Sequence, residues 1–167
     1  MKDNHSWLRQ DWTDDAAVAL VPVFEALPPE RALEALVVRT AASPEVPAAV
    51  ERALRAPCFV GNPAAAAALW LYADELDRSH TLSQSLHTAT GSFLHGIMHR
   101  REGDFGNSLY WLAQARSHPV WDTIPGYDPR AFVRAVEAGA ANDPVLVAMQ
   151  RAEWNAVLAH VLRHGAR

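Results

Sequence analysis

Apolar residues recur along this chain at intervals of three and four, the spacing of one buried helix face. Ala16, Ala19, Leu20, Val23, Phe24 and Leu27 form one stripe, and Leu33, Leu36, Val37 and Thr40 a second. Leu69, Leu71, Tyr72 and Leu76 follow, then Leu82, Leu86, Phe93, Leu94, Ile97 and Met98. Leu109, Leu112, Ala113 and Arg116 mark a short helix, Phe132, Val133 and Val136 another. Val145, Met149, Trp154, Val157, Leu158, Val161 and Leu162 mark a long last one. No stretch alternates strictly, and alanine is abundant, so the pattern predicts an all-α fold. About seven or eight helices joined by short connections are expected, in a compact single-domain bundle spanning 1–167, with residues 1–12 loosely packed.

The punctuation agrees with this reading. Ser43-Pro44, Asn62-Pro63, Asp128-Pro129 and Asp143-Pro144 each set a capping side chain before a proline. The side-chain oxygen accepts from an orphan N–H of the first turn, and proline at the first helical position forfeits no hydrogen bond. Each pair therefore predicts a helix start. The stretch HTATGS, residues 87–92, holds two threonines and a glycine, poor residues for a helix interior. It predicts a break between a helix ending near Leu86 and one running from about Gly91 to Glu102, with Thr88 or Thr90 as cap; a single kinked helix is the alternative.

Composition narrows the class. The 167 residues carry a net charge of −4, and half are apolar. That suits one globular domain with a real core and gives no electrostatic reason for a nucleic-acid partner. One cysteine, Cys58, excludes an intrachain disulfide and a cysteine-based zinc cluster, and a small buried hydrophobe is its expected role. MKDNHSWLRQDW has no apolar core of a signal peptide, and Ala64 to Ala73 is too short to span a bilayer. A cytoplasmic protein with no membrane partner is the expectation.

The chemistry concentrates in HGIMHRREGDFGNSLYW, residues 95–111. His95 and His99, four apart, lie about 40° from each other around a helix and so share one face. That spacing lets one helix give two nitrogens to a metal. The central glutamate of an H-E-x-x-H protease is absent, because residue 96 is glycine. On the preceding helix, Asp77, His80 and Gln84 share a face. If the hairpin closes near residue 89, His80 reaches the height of the pair, and His80, His95 and His99 become candidate ligands for Zn²⁺ or another first-row divalent metal. Glu102 or Asp77 is the candidate base, and Arg100 or Arg101 a candidate clamp for a small anionic ligand. Gln84, Tyr110 and Trp111 are candidate pocket residues. A polar network that merely holds two helices in register is the competing reading. His87, His118, His160 and His164 have no spacing that recommends them, and helix-end placement accounts for the last two.

Residues 91–119 resemble one tetratricopeptide repeat. Gly96 stands at the small position of its first helix, Gly103-Asp104-Phe105 at the turn, Ser108, Leu112 and Ala115 at second-helix contacts, and Pro119 near the close. The resemblance implies a helical hairpin in the middle of the bundle, and puts His95 and His99 where leucine and tyrosine are usual. Stacked arrays need about three such repeats, and only one is found. The wider stretch is similar to a family of uncharacterised bacterial proteins. Its carriers are Asp77, His80 and Gln84; His95, His99, Arg100, Arg101, Glu102, Asp104 and Phe105; then Asn107, Tyr110-Trp111 and His118-Pro119. That resemblance covers about half the chain and implies no particular activity. Three functions remain open: a histidine-lined site for a divalent metal or small anion, with hydrolase-type chemistry; a tetratricopeptide-like interaction module; and a homo-oligomer built on Val157, Leu158, Val161 and Leu162.

Overall fold

The computed structural model describes residues 7–8, 12–116, 118–139 and 142–165, and among them the chain forms eight α-helices and no strand. They are α1 (Asp14–Ala26), α2 (Glu45–Ala53), α3 (Pro63–Tyr72), α4 (Leu76–Ser83), α5 (Ala89–Glu102), α6 (Phe105–Ala115), α7 (Pro129–Glu137) and α8 (Pro144–His164). A 3-10 turn at Trp121–Thr123 links α6 to α7. The all-α bundle read from the periodicity is therefore what the chain forms. Most of residues 1–12, expected to pack loosely, lie outside the described residues; Trp7, Leu8 and Trp12 within that range pack on the core.

Capping chemistry sets the boundaries. Asn62 accepts from Ala65 N–H (3.0 Å), Asp128 from Arg130 and Ala131, and Asp143 from Val145 and Leu146. Ser43-Pro44 behaves differently: no side chain caps α2, which begins at Glu45. The break at 87–92 is real, and Thr88 caps α5 through Gly91 N–H at 3.1 Å. A second break, which the stripe Leu69 to Leu76 hid, separates α3 from α4 at Asp74, whose φ is +60°.

α3 lies at the centre. Ala64, Ala65, Ala67, Ala68, Leu69, Trp70, Leu71 and Tyr72 are buried, as befits a helix enclosed by others. α8 packs across it through Trp154, whose indole N–H donates to Ala68 O at 2.7 Å and whose ring lies 4.8 Å from Tyr72. Val157, Leu158 and Val161 are buried in this same core, and Leu162 packs against it partly buried.

One predicted helix is absent. Residues 28–42 hold turns, although Leu33 and Leu36 are buried as their stripe implied. Pro28-Pro29 interrupts the helical pattern, and Leu33 adopts φ +58°. Side chains replace the missing helical hydrogen bonds. Gln150 Nε2 donates to Leu33 O and Ala35 O, Arg151 to Ala32 O and Glu30 O, and Arg101 Nη2 to Ala35 O.

The α4–α5–α6 unit carries the histidines, and two glycines set its tightness. A Cβ on Gly91 would lie 2.1 Å from Leu86 O, and one on Gly96 2.9 Å from Leu112 Cγ. At Gly96 the close approach also lets Ser108 donate to Gly96 O at 2.7 Å. Gly91→Ala should therefore cost at least about 1–3 kcal/mol in urea unfolding. Gly106→Ala, which meets only Asp104 Oδ1 at 3.8 Å, should be neutral or stabilising. Equal stabilities for the two variants would contradict this packing.

Beyond α6, His118 is buried as a neutral ring. Its Nδ1 accepts from Val120 N–H, leaving Nε2–H for Thr90 Oγ1 at 3.0 Å. Burial, with His160 adding a smaller push, lowers it from 6.5 to about 4. The unfolded chain then takes up a proton that the folded chain refuses as pH falls below about 6.5. This contribution to stability is complete above that pH and declines towards pH 4, at up to about 1.4 kcal/mol per pH unit. His118→Gln should flatten that part of the acid limb in urea titrations; an unchanged slope would refute the assignment.

Candidate metal centre

α4 and α5 bring His80, His95 and His99 together. Ring nitrogens of the three lie within 4.8 Å of one another. Ring centroids are 4.8 Å apart for His80–His95, 5.4 Å for His80–His99 and 4.6 Å for His95–His99. The pair on α5 stacks, 19° from parallel, as four-residue spacing on one helix face allows. Trp111 of α6 closes the other face of His95, at 4.1 Å and 21°. Three helices thus fix the cluster: two carry ligand candidates and one supplies an aromatic wall.

The cluster is largely desolvated. His95 is 3 % exposed and His99 7 %, while His80 is half-buried. Both ring nitrogens of His95 are buried without a hydrogen-bond partner. A buried imidazole ordinarily finds a donor or acceptor for each nitrogen. Burial pushes His95 down to about 4, helped by His99 and His80, so its ring is neutral at physiological pH. Neutral imidazole is the form that ligates metals.

His99 is held differently. Its Nδ1 lies 2.6 Å from Glu102 Oε1, one turn along α5. Carboxylate oxygens only accept, so Nδ1–H is the donor, and Nε2 is the atom left to ligate. Such a carboxylate orients a ligating histidine and raises its basicity. Glu102, which opposes the macrodipole at the end of α5, is balanced there by His99.

Several other candidates lie elsewhere. Asp77 and Gln84 are exposed on α4 and make no hydrogen bond or ion pair with the imidazoles. Gln84, the C-cap of α4, keeps a helical conformation with its N–H bonded to His80 O, but its side chain and that of Asp77 are exposed while His80 is half-buried among the imidazoles. Tyr110 is 57 % exposed and meets only the edge of Trp111. Asp104, with His99 and Glu102, forms a second and more exposed group of metal-capable atoms.

Arg100 and Arg101 are removed from the anion clamp. Both are fully buried and committed to partners. Arg100 makes a two-pronged pair with Glu153, Nη1 to Oε1 at 2.7 Å and Nη2 to Oε2 at 2.5 Å, over the Phe132 ring. Tyr127 donates its hydroxyl to the same carboxylate. Burial opposes the charge of Arg100, but Glu153 raises its pKa overall. Arg101 donates to Asp74 Oδ1 (2.6 Å), Leu71 O and Ala35 O. These arginines tie α5 to α8, to the end of α3 and to the irregular 28–42 segment.

Among the described residues no helix is long and apolar enough to cross a membrane. Comparisons with protein-family models, with curated proteins and with solved structures returned no match, so the reading of this centre stands on its own geometry.

Proposed function

We propose that the chain binds one divalent first-row metal ion through His80, His95 and His99, with Glu102 positioning His99. The observation that carries this reading is His95: a neutral, buried imidazole with neither nitrogen partnered, facing two others. A network that only joined helices would leave those nitrogens bonded. Three imidazoles suit zinc and its neighbours, and three protein ligands are the number that leaves a coordination position open.

A metal so held lowers the pKa of bound water and polarises carbonyl or phosphoryl oxygens, the chemistry of a hydrolase. The chain's own residues would supply the rest. Trp111 shields one side of His95 from water. Glu102, still partly exposed, sets the tautomer of His99 and is the carboxylate nearest to hand for accepting a proton. The buried arginines contribute rigidity to α5 rather than substrate contacts.

Cobalt(II) titration of the metal-free protein tests this reading. A saturable visible absorption with one ion per chain is expected, and His80→Ala, His95→Ala and His99→Ala should each abolish it. Activity towards model esters or phosphodiesters should then follow metal loading. No cobalt band in the folded wild type, or a band that survives all three variants, would overturn the proposal.

A further inference from the structure

A second site of interest lies away from the three histidines, at a cavity. It is about 930 Å³ and lies between α8, the turn following α6 and the start of α5. Ala152, Ala156 and Ala159 of α8 form one wall, with Val120 and Ile124 opposite. That size and apolar lining fit a small organic molecule.

Its titratable side chains are few. His118, His160, Arg163 and His164 line it, and among the described residues no carboxylate does. The chain as a whole carries a net charge of −4, so a cavity lined by a fixed cation and, among the described residues, by no acid runs against the average surface. Ala89, the first residue of α5, also reaches the wall, and the positive end of that helix favours negative charge.

Two further groups point to an occupant. Asn155, 4 % exposed and on the cavity wall, has a buried carboxamide oxygen with no hydrogen-bond partner. Trp7 also lines the cavity, and its indole N–H is unpartnered too. An acceptor and a donor are left open around one apolar space. Arg163 and His164 also offset the negative end of α8, as cations in a last turn do. Helix stability does not account for an unsatisfied amide at Asn155, more than two turns earlier.

We propose that this cavity binds a small organic anion with an apolar body and an N–H or O–H group. Asn155 accepts from the donor of the ligand, the alanine wall and Ile124 hold its body, and Arg163 with His160 and His164 faces its anionic end. The site is separate from the metal centre, since none of His80, His95 and His99 lines it.

The test uses 8-anilinonaphthalene-1-sulfonate, an apolar anion with one N–H, titrated into the full chain and followed by fluorescence. One saturable site is expected. Indole-3-acetate should displace the dye at least about tenfold better than neutral indole-3-ethanol, the size of one lost charge-assisted contact. Ala156→Trp, which fills the cavity, should abolish saturable binding while near-ultraviolet circular dichroism stays native. Arg163→Gln, at an exposed position, should weaken the dye about tenfold while near-ultraviolet circular dichroism stays native, and so gives a second reading if Ala156→Trp fails to fold. Non-saturable dye binding, equal displacement by acid and alcohol, or full affinity in the natively folded Ala156→Trp or in Arg163→Gln would overturn the proposal.

Discussion

Arg100→Met is expected to destabilise the fold by about 3–5 kcal/mol, the largest effect of any single substitution considered for this chain. The reason lies in what would remain. Glu153 is fully buried, and its carboxylate is balanced by the two-pronged Arg100 contact, with the Tyr127 hydroxyl as a second donor. Without the guanidinium a bare charge stays in the core beside α8. Glu153→Gln should cost a comparable amount, by stranding Arg100 instead. The double variant Arg100→Met, Glu153→Leu should recover much of either loss, because a buried pair replaced by apolar groups of similar volume is often neutral or better. Domain stabilities run to about 5–15 kcal/mol, so either single variant should shift the urea midpoint far down. Additive losses in the double variant would show that the two side chains do not act as a pair.

The second large effect has the opposite sign. His95→Leu should raise the stability of the metal-free protein while eliminating metal binding. In the wild type two ring nitrogens are buried with no partner, and an unsatisfied buried polar group costs about 1–3 kcal/mol. Leucine is close in volume and brings no polar atom, so most of that cost should be returned, less the stacking lost against Trp111. A structural histidine would behave otherwise, and its replacement would lower stability. Glu102→Gln separates positioning from ligation: affinity should fall about 10–100-fold without being abolished, and the metal-to-chain ratio at saturation should stay the same. Loss of all binding in Glu102→Gln would make it a ligand.

How much of this was legible in the sequence follows from the range of each interaction. The all-α class, the four cap-proline starts and the break before α5 depend on neighbours in sequence, and periodicity and capping chemistry report them directly. The meeting of His95 and His99 is also local, a matter of helical spacing, and His80 followed once the hairpin was allowed to close. Residues 28–42 misled because their leucines are buried at helical intervals while their carbonyls are bonded by Arg101, Gln150 and Arg151 from distant elements. Arg100 and Arg101 were misread for the same cause. Adjacent helix positions point about 100° apart, and nothing nearby signals that Glu153 and Asp74 wait on both sides. His118 and His160, set aside on spacing, meet at 4.9 Å because separate elements converge at the second cavity.

The most direct measurement is the metal content of the folded protein after zinc loading and extensive dialysis, in the wild type and in His95→Leu. The account predicts close to one zinc ion per wild-type chain and none in the more stable variant. A wild type that retains no metal, or a His95→Leu variant that retains as much, would contradict it.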